Sequence, residues 1–291
     1  SRIQLDWFGG EPLLGFDSIV YPFSKKILEL SKESKVLFSN QITTNGYLLD
    51  EKKIYKLNEI KLSNFQITLD GNESDHNKVK ISTNSYKKTV NNLNLLCDIV
   101  ENLELMLRIN FTDESLKGCV DIIEDIPFGN RAKMKVLFQK VWQTLDKSDD
   151  SEELRKMKKT FSNAGFIISE YDIKPVLACY ADRYEQSVVN FDGKVFKCTA
   201  RDFTDENSDG FLDEDGDIQW DVDKQSRRFG VIAFEKYEDC KKCDLLPACY
   251  GPCSQKVLET DIDDFEKICN YGGIKSTIVK VLERNYAETF S

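Results

Sequence analysis

The chain has 291 residues, 41% of them hydrophobic, which is enough for one large domain or two ordinary domains with a buried core. Its 50 acidic and 40 basic residues give a net charge of −10, which disfavours a scaffold that neutralises nucleic-acid phosphates. The sequence has no apolar run of membrane-spanning length and no signal-peptide pattern, so a cytoplasmic enzyme that acts on a peptide or small molecule is expected.

The first half of the chain alternates short apolar runs with amphipathic helical patterns. Such runs are typical of β-strands. The five predicted strands are IQLDWF, FSNQITT, FQITLD, LELMLRINF and MKVLFQKVW. Helical patterns lie between them at residues 17–34, 50–60, 84–101 and 114–125. Because strands that alternate with helices pair in parallel, residues 1–145 are predicted to form an α/β domain with a parallel sheet, open or barrel-like.

The rest of the chain has a different composition. Residues 146–164 are highly charged with a helical pattern, so the segment 146–178 is interpreted as a connector that includes a surface helix. Seven of the nine cysteines follow residue 178, among acidic and turn-rich loops, which predicts a second domain over residues 179–291. A last amphipathic pattern near residues 273–288 is expected to form a helix that packs back on the rest.

The cysteines of the second domain favour an iron–sulfur site over disulfides or zinc. They are Cys179, Cys198, Cys240, Cys243, Cys249, Cys253 and Cys269. Seven cysteines cannot all pair, and a zinc ribbon needs two short-spaced pairs roughly a dozen or more residues apart, whereas these read C-x2-C-x5-C-x3-C. Iron–sulfur clusters take four thiolates each from tight loops, such as those at Gly193, Gly251 and Pro252. Cys97 and Cys119 lie in helical patterns and are interpreted as core residues.

These motifs, in this order, resemble a known family. The cysteine spacing resembles the SPASM domain, the auxiliary iron–sulfur module of many radical SAM enzymes. Independently, WFGGEPLL (7–14), ITTNGYLL (42–49), ITLDG (67–71) and LRIN (107–110) resemble successive strand ends of the radical SAM barrel. The resemblance covers nearly the whole chain. Within the superfamily, NFDGKVFKCTARDF (190–203) and LPACYGPCSQ (246–255) are most similar to maturases of ribosomally made peptides.

The resemblance implies a (β/α)6 barrel that binds S-adenosylmethionine at the carboxyl ends of its strands. It implies that the backbone at GGEP accepts hydrogen bonds from the methionine ammonium, and that Thr68 and Arg108 contact the cofactor's carboxylate or ribose. The implied cofactor-binding residues are Gly9, Gly10, Glu11, Asn45, Thr68 and Arg108; no catalytic residue is assigned. Taken alone, GGEP could be a turn that ends a strand and Asn45 could hold a turn. Thr68 could be an ordinary strand residue, and Arg108 could pair with a nearby acid.

The resemblance also implies how the cysteines divide between two auxiliary 4Fe–4S clusters. One cluster is ligated by Cys240, Cys243, Cys249 and Cys269. The other is ligated by Cys179, Cys198 and Cys253, and its remaining iron is open or is closed by an unrecognised side chain such as an acid. The implied partners are a precursor peptide and an external electron donor such as flavodoxin or ferredoxin, with neither nucleic acid nor a membrane expected.

One element of the family pattern is missing from the sequence. Radical SAM enzymes bind a reducing 4Fe–4S cluster with CxxxCxxC after the first barrel strand, but the first cysteine here is Cys97. The chain also opens on Ser1, without a methionine. We therefore expect a truncated barrel that lacks its first strand, and a chain that does not by itself cleave S-adenosylmethionine. In the intact enzyme this third cluster would generate a deoxyadenosyl radical that takes hydrogen from a peptide side chain.

Two alternative functions remain at this stage. The first is an anaerobic sulfatase maturase, which oxidises Ser or Cys to formylglycine. That family carries an aspartate directly after the second SPASM cysteine, where this chain has Thr199 and places Asp202 three positions further on. It also carries an extra cysteine before the first, where this chain has only YDIKPVLA. The second alternative is a non-catalytic iron–sulfur scaffold.

Two further features are given ordinary interpretations. The segment DENSDGFLDEDG (205–216) begins like a calcium-binding loop, but Gly216 occupies the position of the bidentate glutamate, so an acidic hairpin-like loop is predicted. His76 is the only histidine, which excludes histidine-rich metal sites, and it is expected to be a surface or hydrogen-bonded loop residue.

Overall fold

The structure, a computed structural model, describes residues 1–141, 151–169, 179–230, 235–259, 268–269 and 271–290. The chain divides into two compact units, Ser1–Glu170 and Tyr171–Ser291. Across the described residues, no helix has both the length and the apolar character that crossing a membrane requires.

The first unit is built on one sheet of six parallel strands, in which each strand pairs with the next strand along the chain. The strands are β1 (Arg2–Trp7), β2 (Leu37–Thr44), β3 (Leu62–Asp70), β4 (Glu104–Phe111), β5 (Met134–Lys140) and β6 (Ile167–Ile168). The first five confirm the predicted strands and their parallel pairing. The sixth is two residues long, too short to leave an alternating pattern in the sequence.

Helices connect the strands of the first unit. They are α1 (Tyr21–Glu33), α2 (Glu51–Glu59), α3 (Glu73–Val79), α4 (Ser85–Ile99), α5 (Ile122–Asp125), α6 (Phe128–Arg131) and α7 (Glu152–Asn163). Short 3₁₀ segments lie at Pro12–Gly15 and Leu116–Asp121, and a π-helical turn at Phe16–Val20. Polar side chains cap several helix starts: those of Asp50 and Asn72 accept hydrogen bonds from backbone N–H groups in the first turns of α2 and α3.

The two faces of the sheet differ sharply in chemistry. Along β3, Phe65, Ile67 and Leu69 are fully buried, and the side chains between them on the other face are half-buried and polar. Leu107 and Ile109 continue the buried face on β4. Successive strand residues point to opposite faces, so one face carries the helix-covered core, where burying each such side chain contributes about 1.5–3 kcal/mol. The polar face is free to line a site.

The predicted connector differs from the observed arrangement. Residues 146–178 were expected to join two domains, but α7 and β6 belong to the first unit, which extends to Glu170. Leu154 and Phe161 of α7 are buried in its core, and β6 pairs in parallel with β5. The charged helix α7 joins the core of the first unit because these two apolar positions form a narrow stripe that is buried there. The parts of the connector at 142–150 and 170–178 lie outside the described residues.

The β1 strand forms one edge of the described sheet, because its only strand partner there is β2. Four of its six residues are exposed, including Ile3 at 43%. An exposed apolar edge strand is a template for further strand pairing.

The second unit contains a small antiparallel sheet and short helices. Its strands, in spatial order, are β10 (Ile218–Trp220), β9 (Gly210–Leu212), β8 (Lys194–Phe196) and β7 (Val188–Val189). Its helices are α8 (Val222–Phe229), α9 (Glu238–Lys241), α10 (Leu246–Cys249), α11 (Ser254–Glu259) and α12 (Tyr271–Phe290), with a 3₁₀ turn at Tyr180–Asp182. The terminal helix predicted near residues 273–288 is α12, and it contacts α10.

Candidate functional site

The predicted cofactor residues lie at the carboxyl ends of neighbouring strands in the first unit. Gly9, Gly10 and Glu11 follow β1, and Asn45 follows β2 directly. Thr68 of β3 and Arg108 of β4 are register partners across the sheet, and both are half-buried on its polar face. The carboxyl edge of a parallel sheet is where α/β folds commonly place their sites.

The glycine pair after β1 is held in an open conformation. Gly9 has φ +80° and Gly10 has φ +50°, and both are exposed. Positive φ strains residues that carry a Cβ, which explains why glycine occupies both positions. No atom lies within 4 Å of where a Cβ would stand on either residue. The backbone of this turn is therefore accessible to a ligand.

Glu11 joins the turn after β1 to the turn after β2. Its carboxylate accepts hydrogen bonds from the Thr44 hydroxyl at 2.6 Å and from the Asn45 backbone N–H at 2.8 Å. It also accepts from the Leu13 N–H at 3.1 Å. Charge-assisted bonds of this kind are strong and directional, so the Glu11 side chain is committed to fixing the two turns against each other.

Asn45 has a clear local role in the second turn. Its side-chain Oδ1 accepts a hydrogen bond from the Tyr47 N–H at 2.9 Å, and its carbonyl accepts from the Thr89 hydroxyl at 3.3 Å. The Asn45 side chain thus holds a turn, as one of the two interpretations of the sequence expected.

Arg108 belongs to a polar chain along the same face. Its Nε donates to Asn110 Oδ1 at 3.0 Å, and Asn110 Nδ2 donates to Asp70 Oδ1 at 2.8 Å. Lys80 completes the chain with an ion pair to Asp70 at 2.9 Å. Burial acts to raise the pKa of Asp70, but the Lys80 and Asn110 contacts outweigh it and hold that pKa below its usual value. Asp70 and Asn110 were missed in the sequence, although they follow Thr68 and Arg108 by two residues and so share their face.

His76 is not the surface or loop residue expected. It lies in α3 and is fully buried. Its Nδ1 accepts from the Asp70 backbone N–H at 3.1 Å, which leaves Nε2 as the protonated nitrogen beside the Ser85 hydroxyl at 3.2 Å. The expected hydrogen bonding is present. The burial was not expected because α3, which starts after the Asn72 cap, is too short to show a periodic pattern in the sequence.

Burial should make the first unit sensitive to mild acid through His76. Burial lowers the pKa of the His76 imidazole from 6.5, opposed by Asp70 and reinforced by Lys80. The unfolded chain therefore takes up a proton at higher pH than the folded chain does. The contribution of neutral His76 to the free energy of unfolding is fully present above about pH 6.5. It decreases as the pH falls from there towards the pKa of His76 in the folded chain. We expect urea midpoints of the first-unit transition to decrease between about pH 7.5 and about pH 5.5.

The variant His76→Gln should show a flatter profile across the same interval, because no other histidine exists in the chain. Asp70 supplies an internal control, since its depressed pKa places its own loss of stability at more acidic pH in both proteins. Equal pH dependence of the two midpoints would contradict the assignment.

In the second unit, four of the predicted ligands line one cavity. The cavity has a volume of about 390 Å³, and its walls include Cys240, Cys243, Cys249 and Cys269. Burial raises the pKa of the Cys240 thiol, and the three other thiols raise it further, because like charges close together oppose ionisation. These four cysteines are therefore neighbours in space, although 29 positions separate the first from the last.

The other three predicted ligands form a second group, called here the three-cysteine group: Cys179, Cys198 and Cys253. Burial raises the pKa of the Cys179 thiol, with further contributions from Asp182, Cys253 and Cys198, opposed by a hydrogen bond from the Ala181 N–H. The Ala200 N–H also points to Cys198 Sγ, at 3.4 Å. Hydrogen bonds from backbone N–H groups to cysteine sulfur are among the contacts that the ligand loops of iron–sulfur clusters provide.

The cysteines of the first unit are different in character. Cys97 and Cys119 are fully buried, and burial raises their pKa values to about 11 and about 12. They belong to the hydrophobic core, as predicted. Within the described ranges, no three His, Cys, Asp or Glu side chains are arranged to hold a single metal ion.

A comparison with protein families finds a match within the first unit. Residues 4–123 match the model of the Radical SAM superfamily. This match agrees with the resemblance drawn from the GGEP, TNG, LDG and LRIN motifs, which all lie within these residues. No curated protein sequence matches the chain.

Comparison with solved structures extends the fold similarity to the whole chain. The sulfatase-maturating enzyme anSMEcpe, solved with bound AdoMet and a Kp18Cys peptide, is 17% identical, with a TM-score of 0.61 over 98% of this chain and 84% of that chain. A histidine-tagged form of the same enzyme with bound AdoMet is 18% identical, with a TM-score of 0.61 over 100% and 82%. SuiB from Streptococcus suis is 15% identical, with a TM-score of 0.54 over 90% and 65%. At these identities the comparison establishes the fold.

Proposed function

We propose that this chain belongs to a radical SAM/SPASM maturase that modifies a side chain of a ribosomally made peptide. The observation that carries the proposal is the grouping of the seven cysteines into a set of four and a set of three, in a chain that also has a radical SAM domain. Bound S-adenosylmethionine, once reduced, supplies the hydrogen-abstracting chemistry of such enzymes. The residues of this chain bind and orient the reacting groups and set the charge around them.

The polar face of the first unit is the proposed S-adenosylmethionine site. The exposed backbone of Gly9 and Gly10 offers carbonyl acceptors to an ammonium group, while Glu11 and Asn45 keep the two turns in place. Among the residues that the structure describes, Arg108 donates a side-chain hydrogen bond through its Nε, to Asn110. Its two terminal nitrogens can therefore donate to a carboxylate or a ribose. Thr68 stands beside it on β3 with a hydroxyl on the same face.

We expect Arg108→Gln to weaken S-adenosylmethionine binding about tenfold or more, because a charge-assisted, bidentate contact is lost. Calorimetric titration of the purified chain measures the change. Arg2→Gln is the matched control, since Arg2 is an exposed arginine at the opposite end of β1. The affinity of the Arg2→Gln variant for S-adenosylmethionine should equal that of the wild type. Equal weakening by both substitutions would remove Arg108 from the site.

The two cysteine sets are the proposed ligands of two auxiliary 4Fe–4S clusters. The chemistry of each donor set suits iron–sulfur binding, because cysteine thiolates are the usual ligands of these clusters and four of the cysteines line one cavity. The three-cysteine group leaves one position of its cluster for a substrate group, water or another side chain. Thiolate ligands need a reducing compartment, so the proposal places the protein in the cytoplasm with an external electron donor such as flavodoxin or ferredoxin.

Formylglycine formation is the second candidate, favoured by the fold similarity to anSMEcpe. Against it, Thr199 stands where that family has an aspartate, and its hydroxyl is engaged at 2.5 Å with the hydroxyl of Tyr180. A group already bonded inside the unit is a poor candidate for a proton acceptor towards substrate. We therefore retain peptide maturation of another kind as the main proposal.

The functional test uses a protein that includes a CxxxCxxC segment, since the 291 residues contain none. After anaerobic reconstitution and reduction, deoxyadenosine release with a mass change in a supplied precursor peptide would support the maturase. Conversion of Ser or Cys in a sulfatase-derived peptide would indicate formylglycine formation instead. Cluster binding without any deoxyadenosine would indicate a scaffold.

A further inference from the structure

The three segments that carry the three-cysteine group are fastened to one another by side-chain bonds. The residue after Cys179 bonds to the residue after Cys198, through the Tyr180 and Thr199 hydroxyls. The Cys179 segment is also bonded to the Cys253 segment, because the Ser254 hydroxyl donates to the carboxylate of Asp182 at 2.5 Å.

The third side of this arrangement is an ion pair between Arg201 and Glu259. Arg201 lies three residues after Cys198, and Glu259 is the last residue of α11, which begins directly after Cys253. Arg201 Nε donates to Oε1 at 2.7 Å and to Oε2 at 2.8 Å of the Glu259 carboxylate, and Nη2 donates to Oε2 at 2.6 Å. Three such bonds fix the plane and the position of the guanidinium.

The guanidinium is fixed beside the thiols. Arg201 Nη1 donates to the carbonyl of Ala200 at 2.8 Å. The backbone N–H of the same residue, Ala200, points to Cys198 Sγ. The hydrogen bond to Glu259 raises the pKa of Arg201, burial opposes this, and the nearby Cys198 and Cys253 sulfurs act in the raising direction. The charged groups that act on these thiols include Asp182 near Cys179 and the Arg201–Glu259 pair near the other two cysteines, and the buried Lys197 directly precedes Cys198.

We propose that Arg201, held by Glu259, sets the reduction potential of the iron–sulfur cluster bound by the three-cysteine group; this rests on the cluster assignment made above. Reduction adds one electron and so one negative charge to the cluster, with no bond made or broken. A fixed cation nearby favours the reduced state and raises the potential, and an anion lowers it. Glu259 holds the cation in place and partly offsets its charge. Glutamine at position 259 keeps an oxygen acceptor for the guanidinium and removes the negative charge, so the change in charge decides the sign of its effect.

The test is an anaerobic redox titration of the reconstituted chain with dithionite, followed by EPR. The signal that disappears in Cys198→Ala identifies the cluster of the three-cysteine group. We expect Arg201→Gln to shift the potential of that signal to more negative values and Glu259→Gln to shift it to more positive values. Arg201→Lys, which keeps the charge, should restore most of the wild-type potential. Arg227→Gln is the matched control, because Arg227 is an exposed arginine that donates to the Leu258 carbonyl of α11.

The signs of the shifts separate charge from structure. If the ion pair only fastens two loops, both substitutions should have the same effect. The reduction potential would then shift in the same direction in Arg201→Gln and Glu259→Gln, or both variants would lose the same amount of iron. Either result overturns the inference. It is also overturned if the potentials of both variants equal that of the wild type at full iron content. If the wild-type chain itself binds no cluster at Cys198, both the cluster assignment and this inference fail, and iron analysis shows which case applies.

Discussion

Replacement of Cys249 by Ala is expected to remove about four of about eight iron atoms from the anaerobically reconstituted chain, because a 4Fe–4S cluster that loses a thiolate ligand is poorly retained. Cys253→Ala should remove the other four by the same reasoning, although only four positions separate the two residues. Iron and sulfide analysis, together with EPR or Mössbauer spectroscopy, measures the loss. No single substitution outside the seven cysteines is expected to remove as much iron.

Double variants test the division of the cysteines directly. Cys240→Ala with Cys249→Ala removes two ligands of one set and should lose no more iron than either single variant. Cys249→Ala with Cys253→Ala crosses the two sets and should lose nearly all of it. Cys97→Ala, which alters only the core of the first unit, should leave the iron content unchanged. One zinc ion per chain, or equal losses in the two double variants, would contradict the assignment.

Replacement of Lys197 by Met is expected to destabilise the second unit by about 3–5 kcal/mol. Lys197 is fully buried, and its ammonium donates to the backbone carbonyls of Arg183, Tyr184 and Gln186 at 3.1, 2.8 and 2.5 Å. It also lies 4.4 Å from the centre of the Trp220 ring. Methionine fills the space but removes the donor of all three part-buried hydrogen bonds.

Urea denaturation of the reconstituted chain, followed by tryptophan fluorescence, measures this loss. The matched control is Lys194→Met, three residues away, since Lys194 is partly exposed and paired with surface carboxylates. Little change in the urea midpoint is expected for it. Because Lys197 precedes Cys198 and bonds to the chain just after Cys179, its loss should also lower iron binding by the three-cysteine group. A midpoint equal to that of the control would show that the buried ammonium is dispensable.

Much of the first unit could be predicted from local pattern. The strands β1 to β5 alternate buried and exposed residues or form short apolar runs, and the periods of strands and helices are written directly in the sequence. The short elements could not be found in this way. β6 has two residues and α3 has seven, so neither repeats its pattern often enough to stand out, and both exist because Ile168 and His76 find partners in the rest of the fold.

The sequence by itself determined the residue types and their spacing: the glycines at positions 9 and 10, which positive φ requires, and seven cysteines in tight loops. Only the tertiary structure decided what those residues meet. Glu11 reaches Thr44 and Asn45 because parallel pairing puts the ends of β1 and β2 side by side. Arg201 meets Glu259, 58 residues later, because α11 packs beside the segment that follows Cys198. Contacts between distant segments depend on how sheets and helices pack in three dimensions, and a local pattern records only the period of one segment.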